Sequence, residues 1–376
     1  MRKPITLFFL FYIWVYALTS CSVLRAEEVK SEKGVCEASG SLDWVELADY
    51  DGLFYSTKER TDRHGTIDTS NGWYDGVYSM LNTWAGALEN CAGNDYEECS
   101  RIIEHMTHLS EQEKTLFNWS GREDWDHIWE STFWNNTSLV VLLNAYKVAS
   151  DRVEVPADVH SQIGAWMKKA VKSNKQLYLA KVNKSFNNHQ LQWARANAVY
   201  GLLWNDSKAL KVSEKALNTF MKKNKTKEGA LKYEAYRGSR GLWYHGRAYL
   251  AIFGIADTLE QAGVKVYDKE FKDYLNKSVN FYIDASADNT LIYKWAKRKK
   301  SNNGNYKEQE QASTGNAWVG AFINNVGKDY PATIKRLYES ETINDWFFDT
   351  LGNDAGFWET LDSECFYPVY DTGRGY

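Results

Sequence analysis

The segment GLWYHGRAYLAIFGIADTL, residues 241–259, carries apolar side chains at intervals of three and four. This spacing matches the period of an α-helix, and the run is too long to be a single strand. The segment therefore predicts a long helix with a broad apolar face.

Other segments on both sides of this helix show the same spacing. They are residues 139–149, 159–171, 193–203, 209–220 and 271–283. Alternating strand patterns are few, and Pro156 and Pro331 stand where helices would begin. Paired antiparallel helices form either a ring or a solenoid. A solenoid is built from repeats, and because we find no repeat motif in the sequence, the ring is favoured. We predict an all-α fold, an incomplete (α/α) toroid built from helical hairpins, as a single domain over residues 27–376.

The first 26 residues predict an export signal. Arg2 and Lys3 precede an apolar run at residues 5–17 that is too short to span a bilayer. The motif LTSC, residues 18–21, resembles a bacterial lipobox, with Cys21 as the lipidated residue. The alternative is ordinary signal cleavage near Ala26. Both alternatives predict a protein outside the cytoplasm: periplasmic, anchored to the outer membrane as a lipoprotein, or secreted.

The cysteines suit an oxidising compartment. Beyond Cys21, the chain has an even number of them: Cys36, Cys91, Cys99 and Cys365. Because Cys91 and Cys99 bracket a turn-like stretch, we expect them to pair. Cys36 and Cys365 would then pair by elimination.

Charge and motifs exclude several function classes. The formal net charge of −4 argues against nucleic acid as a partner, so a polyanionic ligand would need a local basic cleft. His105 and His108 share a helix face but have no carboxylate or cysteine companion, so we expect no metal site. No phosphate loop or dinucleotide fingerprint is present, and we expect no cofactor.

One long connection, KRKKSNNGNYKEQEQASTG at residues 297–315, has no helical stripe. Such a segment is commonly a solvated loop. The alternative is a lid over a cleft, in which four basic residues attract an anionic chain: Lys297, Arg298, Lys299 and Lys300.

Two polar clusters stand at predicted helix starts. FNNHQLQW, residues 186–193, places Asn187, Asn188 and His189 together; taken alone, this is an ordinary helix start with an asparagine cap. YEAYRGSRGLWYH, residues 233–245, spaces Arg237, Arg240 and Tyr244 three and four apart, which on a helix predicts one shared face. His189 and Tyr244 are separated by about two helices and their turns, so a ring of hairpins would bring the two clusters together.

These motifs resemble the alginate lyase family of polysaccharide lyases and its glucuronan-cleaving relatives. The resemblance covers residues 186–259 and continues weakly through 310–322. It implies that Asn188 and His189 neutralise a substrate carboxylate, that Tyr244 is the catalytic tyrosine and that Arg237 lies beside it. The chain departs from the mannuronate-cleaving pattern between the two arginines and after the NNH motif. The resemblance therefore indicates the reaction more firmly than the sugar.

The residue types suit β-elimination. Removing the C5 proton of a uronate requires its carboxylate to be neutralised, and amide and imidazole donors can do this. A tyrosine has a pKa of about 10, and a nearby guanidinium favours its phenolate. In mannuronate and glucuronate, H5 and O4 lie on the same side, so Tyr244 could act first as base and then as acid. In guluronate they lie on opposite sides, and His189 would have to be a separate base.

A third patch, DWDHIWESTFWNN at residues 124–136, adds aromatic rings and amides. Sugar rings stack on aromatic faces, so Trp134, Asn135 and Asn136 join Arg240 and Asn187 as candidate substrate-binding residues. The alternative is that these residues belong to the core.

We therefore predict a monomeric, exported lyase acting on an anionic polysaccharide. One rival is a helical glycoside hydrolase, with Asp124 and Asp126 as candidate carboxylates. The other is a surface lipoprotein that binds glycans without cleaving them.

Overall fold

The computed structural model describes residues 73–111, 125–181, 187–297, 305–309 and 318–340. Side chains are not described for residues 73–79, 82, 125–135 and 173–181. The predicted signal peptide, its lipobox and the predicted pair Cys36–Cys365 lie outside these ranges. Within them every regular element is helical, which confirms the all-α prediction.

Most of the helices follow one another with short breaks; the two longest breaks are residues 112–124 and 297–317. In chain order they are α1 Trp73–Ala92, α2 Tyr96–Glu111, α3 Trp125–Ser150, α4 Ala157–Lys181, α5 Asn188–Leu203, α6 Ser207–Asn224, α7 Lys232–Ala235, α8 Gly241–Gln261, α9 Lys269–Ala287, α10 Thr290–Ala296, α11 Trp318–Asn325 and α12 Pro331–Glu339. Single 3₁₀ turns occupy Gly238–Arg240 and Gly327–Asp329. All six segments with helical spacing lie within these helices.

The helices pack in two layers. In one layer α1 contacts α3, α3 contacts α5, α5 contacts α8 and α8 contacts α11. The helices between them form the second layer: α2 packs on α1 and α3, α4 on α3 and α5, and α6 on α5 and α8. This order arises because each helix turns back against its predecessor and so covers the gap to the next hairpin.

Helix α5 lies at the centre of the packing. Ala196, Val199 and Tyr200 join a core cluster formed with α1 to α4, whereas Leu191 and Trp193 join the cluster formed with α6 to α12. A helix buried on nearly all sides needs no polar face. Solvent exposure therefore does not explain the polar residues of α5. Those at its start belong to the candidate site.

Local features begin and join the helices. The Asp206 side chain accepts from the backbone N–H groups of Lys208 and Ala209 and so caps α6. Pro331 occupies the first turn of α12, as predicted. A disulfide between Cys91 and Cys99 links α1 to α2, which confirms that pairing.

None of the helices in the described ranges is long and apolar enough to cross a membrane.

Candidate active site

The NNH motif begins α5, as predicted, but its asparagine does not behave as an ordinary cap. Asn187 occupies the cap position with an extended backbone, and its side chain makes no capping hydrogen bond. Among the described residues, the side-chain oxygens of Asn187, Asn188 and Gln190 are buried without a hydrogen-bond partner. Buried acceptors of this kind are costly. They are available to ligand hydroxyls or, after rotation of the amide, to ligand oxygens.

Glu234 orients the start of α5. Its buried Oε1 accepts from the backbone N–H of Asn188 at 2.6 Å. Glu234 belongs to the short helix α7, which leads into the arginine-containing turn. The two polar clusters, which lie far apart in the sequence, are therefore joined directly by a buried hydrogen bond.

The prediction that Arg237, Arg240 and Tyr244 share one helix face is wrong. Gly238 adopts a φ of 64° and begins the 3₁₀ turn Gly238–Arg240, so α8 begins only at Gly241. Glycine adopts this left-handed backbone conformation easily, and the conformation changes the direction of the chain. Arg237 contacts Tyr244, whereas Arg240 is exposed and lies 5.8 Å from the Trp243 ring.

Arg237 stacks on the proposed catalytic tyrosine. Its guanidinium carbon lies 3.8 Å from the centroid of the Tyr244 ring, within the range of a cation–π contact. The Tyr244 side chain is half-buried, with Trp243 packed edge-on against it at 4.5 Å between ring centroids. The ring is therefore held between a cation and an indole.

His189 lies in the same electrostatic environment. Burial lowers the pKa of His189 well below its usual value, and the positive charges of Arg237 and Arg247 lower it further. The imidazole is accordingly neutral at neutral pH. Because Arg237 acts on His189 and stacks on Tyr244, it connects the two predicted catalytic residues.

Arg247 was missed by the sequence analysis. It is buried on α8, three residues after Tyr244, and its guanidinium carbon lies 5.0 Å from the Trp243 ring. Its position one turn beyond the tyrosine is the signal that could have identified it. Arg247 adds a second positive charge near His189, which suits an anionic ligand.

A buried histidine fixes the first turn of α8. The Nε2 atom of His245 accepts from the backbone N–H of Leu231 at 2.9 Å, so Nδ1 carries the proton and donates to the Gly241 carbonyl at 2.7 Å. Burial lowers the pKa of His245 to about 4. This neutral ring positions the turn that precedes Tyr244.

Gln309 holds the other side of the same turn. Its Nε2 donates to the carbonyls of Gly238 at 2.9 Å and Tyr306 at 2.7 Å, and its Oε1 accepts from the Leu242 N–H at 3.3 Å. Gln309 lies in the connection at residues 297–315. This part of the connection is thus attached to the candidate site rather than free in solvent.

The remaining predicted substrate-binding residues differ in their burial, and some lie outside the described residues. Asn136 is fully buried on α3, and Lys297 is exposed at the end of α10. The Trp134 and Asn135 side chains and all of Arg298 lie outside the described residues. No group of three or more metal-ligating side chains occurs in the described ranges.

Comparison with known proteins agrees with the motifs. The family model for alginate lyase matches residues 124–292, just under half of the chain. No curated protein sequence matches the chain.

Several solved structures share the fold at low sequence identity. The structure of alginate lyase A1-III from Sphingomonas species A1 is 12% identical, with a TM-score of 0.58 over 69% of this chain and 71% of that one. A tyrosine-to-phenylalanine variant of A1-III in complex with a tetrasaccharide is 13% identical, with a TM-score of 0.55 over 69% and 71%. The apo form of a histidine-to-alanine variant is 12% identical, with a TM-score of 0.59 over 83% and 81%.

The family match confirms the resemblance to the alginate lyase family that the NNH and Arg/Tyr motifs predicted. The match supports a polysaccharide lyase, and the matched residues include both motifs.

Proposed function

We propose that this protein is an exported lyase that cleaves a 4-linked uronate polymer, polymannuronate or glucuronan, by β-elimination and without a cofactor. The observation that carries the proposal is the position of Arg237, which stacks on Tyr244 and acts electrostatically on His189. The catalytic domain is an incomplete (α/α) toroid, a proposal supported by the two-layer packing of α1 to α11.

The first step is neutralisation of the substrate carboxylate. Asn188 and the neutral His189 supply hydrogen-bond donors, and Arg237 and Arg247 supply positive charge. These groups stabilise the enolate that forms when the C5 proton leaves. Preorganised donors and charges are effective here because they need no rearrangement as the charge develops.

The second step is proton transfer by Tyr244. Tyr244, held in place by the stacked Arg237 guanidinium, accepts the C5 proton. The C5–H electron pair forms the C4=C5 double bond, and the C4–O4 bond breaks. Tyr244 then returns its proton to the departing O4, which restores the enzyme.

Tetrasaccharide complexes of related proteins support this assignment. Alginate lyase A1-III was crystallised with a tetrasaccharide as a tyrosine-to-phenylalanine variant and as a histidine-to-alanine variant. These are the two residue types assigned here to proton transfer and carboxylate neutralisation. Asn187, Arg240, Trp134, Asn135, Asn136, Lys297 and Arg298 are proposed to bind neighbouring sugars.

The proposal is tested by mixing the purified chain with a panel of uronate polymers. We expect near-ultraviolet absorbance to rise as C4=C5 bonds form. Tyr244→Phe should abolish the rise and retain polymer binding, because the phenylalanine keeps the ring but has no transferable proton. New reducing ends without absorbance would instead support a hydrolase, and binding without cleavage would support a glycan-binding protein.

A further inference from the structure

The exposed face of α6 carries a straight row of lysines, here called the lysine stripe: Lys208, Lys211, Lys215 and Lys222. Their spacings of three, four and seven residues place all four on one side of the helix. The opposite side contributes Ala216, Leu217 and Phe220 to the core. The stripe therefore points away from the helix bundle.

The stripe lacks the acidic partners that lysines have on other helices. Lys147, Lys269 and Lys335 each pair with an acidic residue four positions later. In the part of the chain that the structure describes, no stripe lysine forms an ion pair. Four positive charges thus stand together on a chain whose formal net charge is −4.

A shallow groove follows the C-terminal half of the stripe. It has a volume of about 360 Å³ and is lined by Lys215, Lys222, Asn218, Thr219 and Glu214. The amide and hydroxyl groups suit sugar hydroxyls, and the ammonium groups suit carboxylates. Glu214 can accept from a sugar hydroxyl, but it also repels anions at the edge of the groove.

The periodicity of the stripe suits the proposed substrate. A 4-linked uronate polymer has one carboxylate per sugar, and a pyranose unit is similar in length to one helical turn of about 5.4 Å. The stripe extends for roughly 21 Å, enough for about four sugars laid along the helix. Charge and spacing therefore complement an extended polyuronate.

We infer that the lysine stripe is a second, non-catalytic binding site that holds the polymer on the outer surface of the enzyme. This inference rests on the proposed function for the identity of the polymer. Each exposed charge contact is weak, so the site acts through several contacts along one chain. A short oligosaccharide contacts fewer of the stripe lysines, so the stripe adds little to its binding affinity.

The test compares two variants with equal loss of charge. One changes all four stripe lysines to glutamine; the control changes Lys265, Lys269, Lys277 and Lys335, which are exposed elsewhere, to glutamine. Polymer binding is measured by retardation in native gels containing polymannuronate or glucuronan, in the Tyr244→Phe background so that the polymer stays intact. Turnover of a tetrasaccharide of the same uronate is measured in the otherwise native chain.

We expect the stripe variant to bind polymer roughly tenfold more weakly at low salt, with a smaller difference at high salt because exposed charges are screened. Its tetrasaccharide turnover should equal that of the control variant. Equal retardation of the two variants would overturn the inference. The inference would also be overturned if the native chain bound vesicles of anionic lipid but not the polymer, and the stripe variant no longer bound the vesicles. If no uronate is cleaved by the native chain, the proposed function fails, whereas the gel comparison still reports on the stripe.

Discussion

Arg237 and Tyr244 are stacked, with 3.8 Å between the guanidinium carbon and the ring centroid. Arg240, only three residues away in sequence, lies on Trp243 and is exposed. Two arginines that look equivalent in the motif therefore have different environments, and this difference can be measured.

Arg237→Ala is expected to reduce kcat about 100-fold or more, because a preorganised charge beside the reacting groups is lost. Arg240→Ala serves as the matched control and should change KM by only a few fold, since an exposed charge contributes little. Initial rates of unsaturated product formation distinguish the two. Equal losses of kcat would contradict the difference between the environments of the two arginines.

Gln309→Leu is expected to lower the free energy of unfolding by about 1–3 kcal/mol, because buried groups of Gly238 and Leu242 lose their partner. It should also lower kcat, since the turn before Tyr244 is no longer held. Urea denaturation and initial rates measure the two effects. Glu308→Ala is the control, because the neighbouring Glu308 is exposed and its carboxylate accepts from the Asn305 amide. A stable and fully active Gln309→Leu protein would show that the attachment has no positioning role.

Stability is expected to fall as the pH drops from about 6.5 towards 4. The pKa of His245 is lowered to about 4 in the folded protein, whereas an unfolded histidine titrates near 6.5. In this window the unfolded chain binds the proton and the folded chain does not, so acid favours unfolding by up to about 3 kcal/mol. The stabilisation is fully present above the unfolded pKa.

His105, whose pKa burial also lowers to about 4, contributes in the same direction. Urea denaturation at several pH values measures the combined slope. His245→Asn should be less stable at neutral pH but show a shallower slope, because one titrating group is gone. An unchanged slope in this variant would mean that His245 does not carry the effect.

Replacing Cys91 and Cys99 with alanine is expected to cost about 2–3 kcal/mol of stability, since the unfolded chain regains the entropy of a short closed loop. Thermal unfolding with and without reductant checks this: reductant should destabilise the native protein and leave the double variant unchanged. Because the disulfide lies between α1 and α2, away from Tyr244, kcat should not change.

Periodicity alone was sufficient to locate six of the helices, α3 to α6, α8 and α9. Segments such as 241–259 and 193–203 became helical because their apolar spacing matches the helical period and each had a neighbour to pack against. The Cys91–Cys99 pair was also legible, since its ends are held together by a short turn. The choice of His189 and Tyr244 came from motif resemblance, and the structure brings both next to Arg237.

Local order in the sequence determined which segments are helical and which residue types gather at their starts. Tertiary structure decided which of those residues meet. The turn at Gly238, with its positive φ, left Arg237 outside α8, and packing of α5 against α8 placed Arg247 near His189. Gln309 reached the same turn from a distant connection. Helical spacing reports neighbours within one helix, whereas contacts between helices depend on the path of the whole chain.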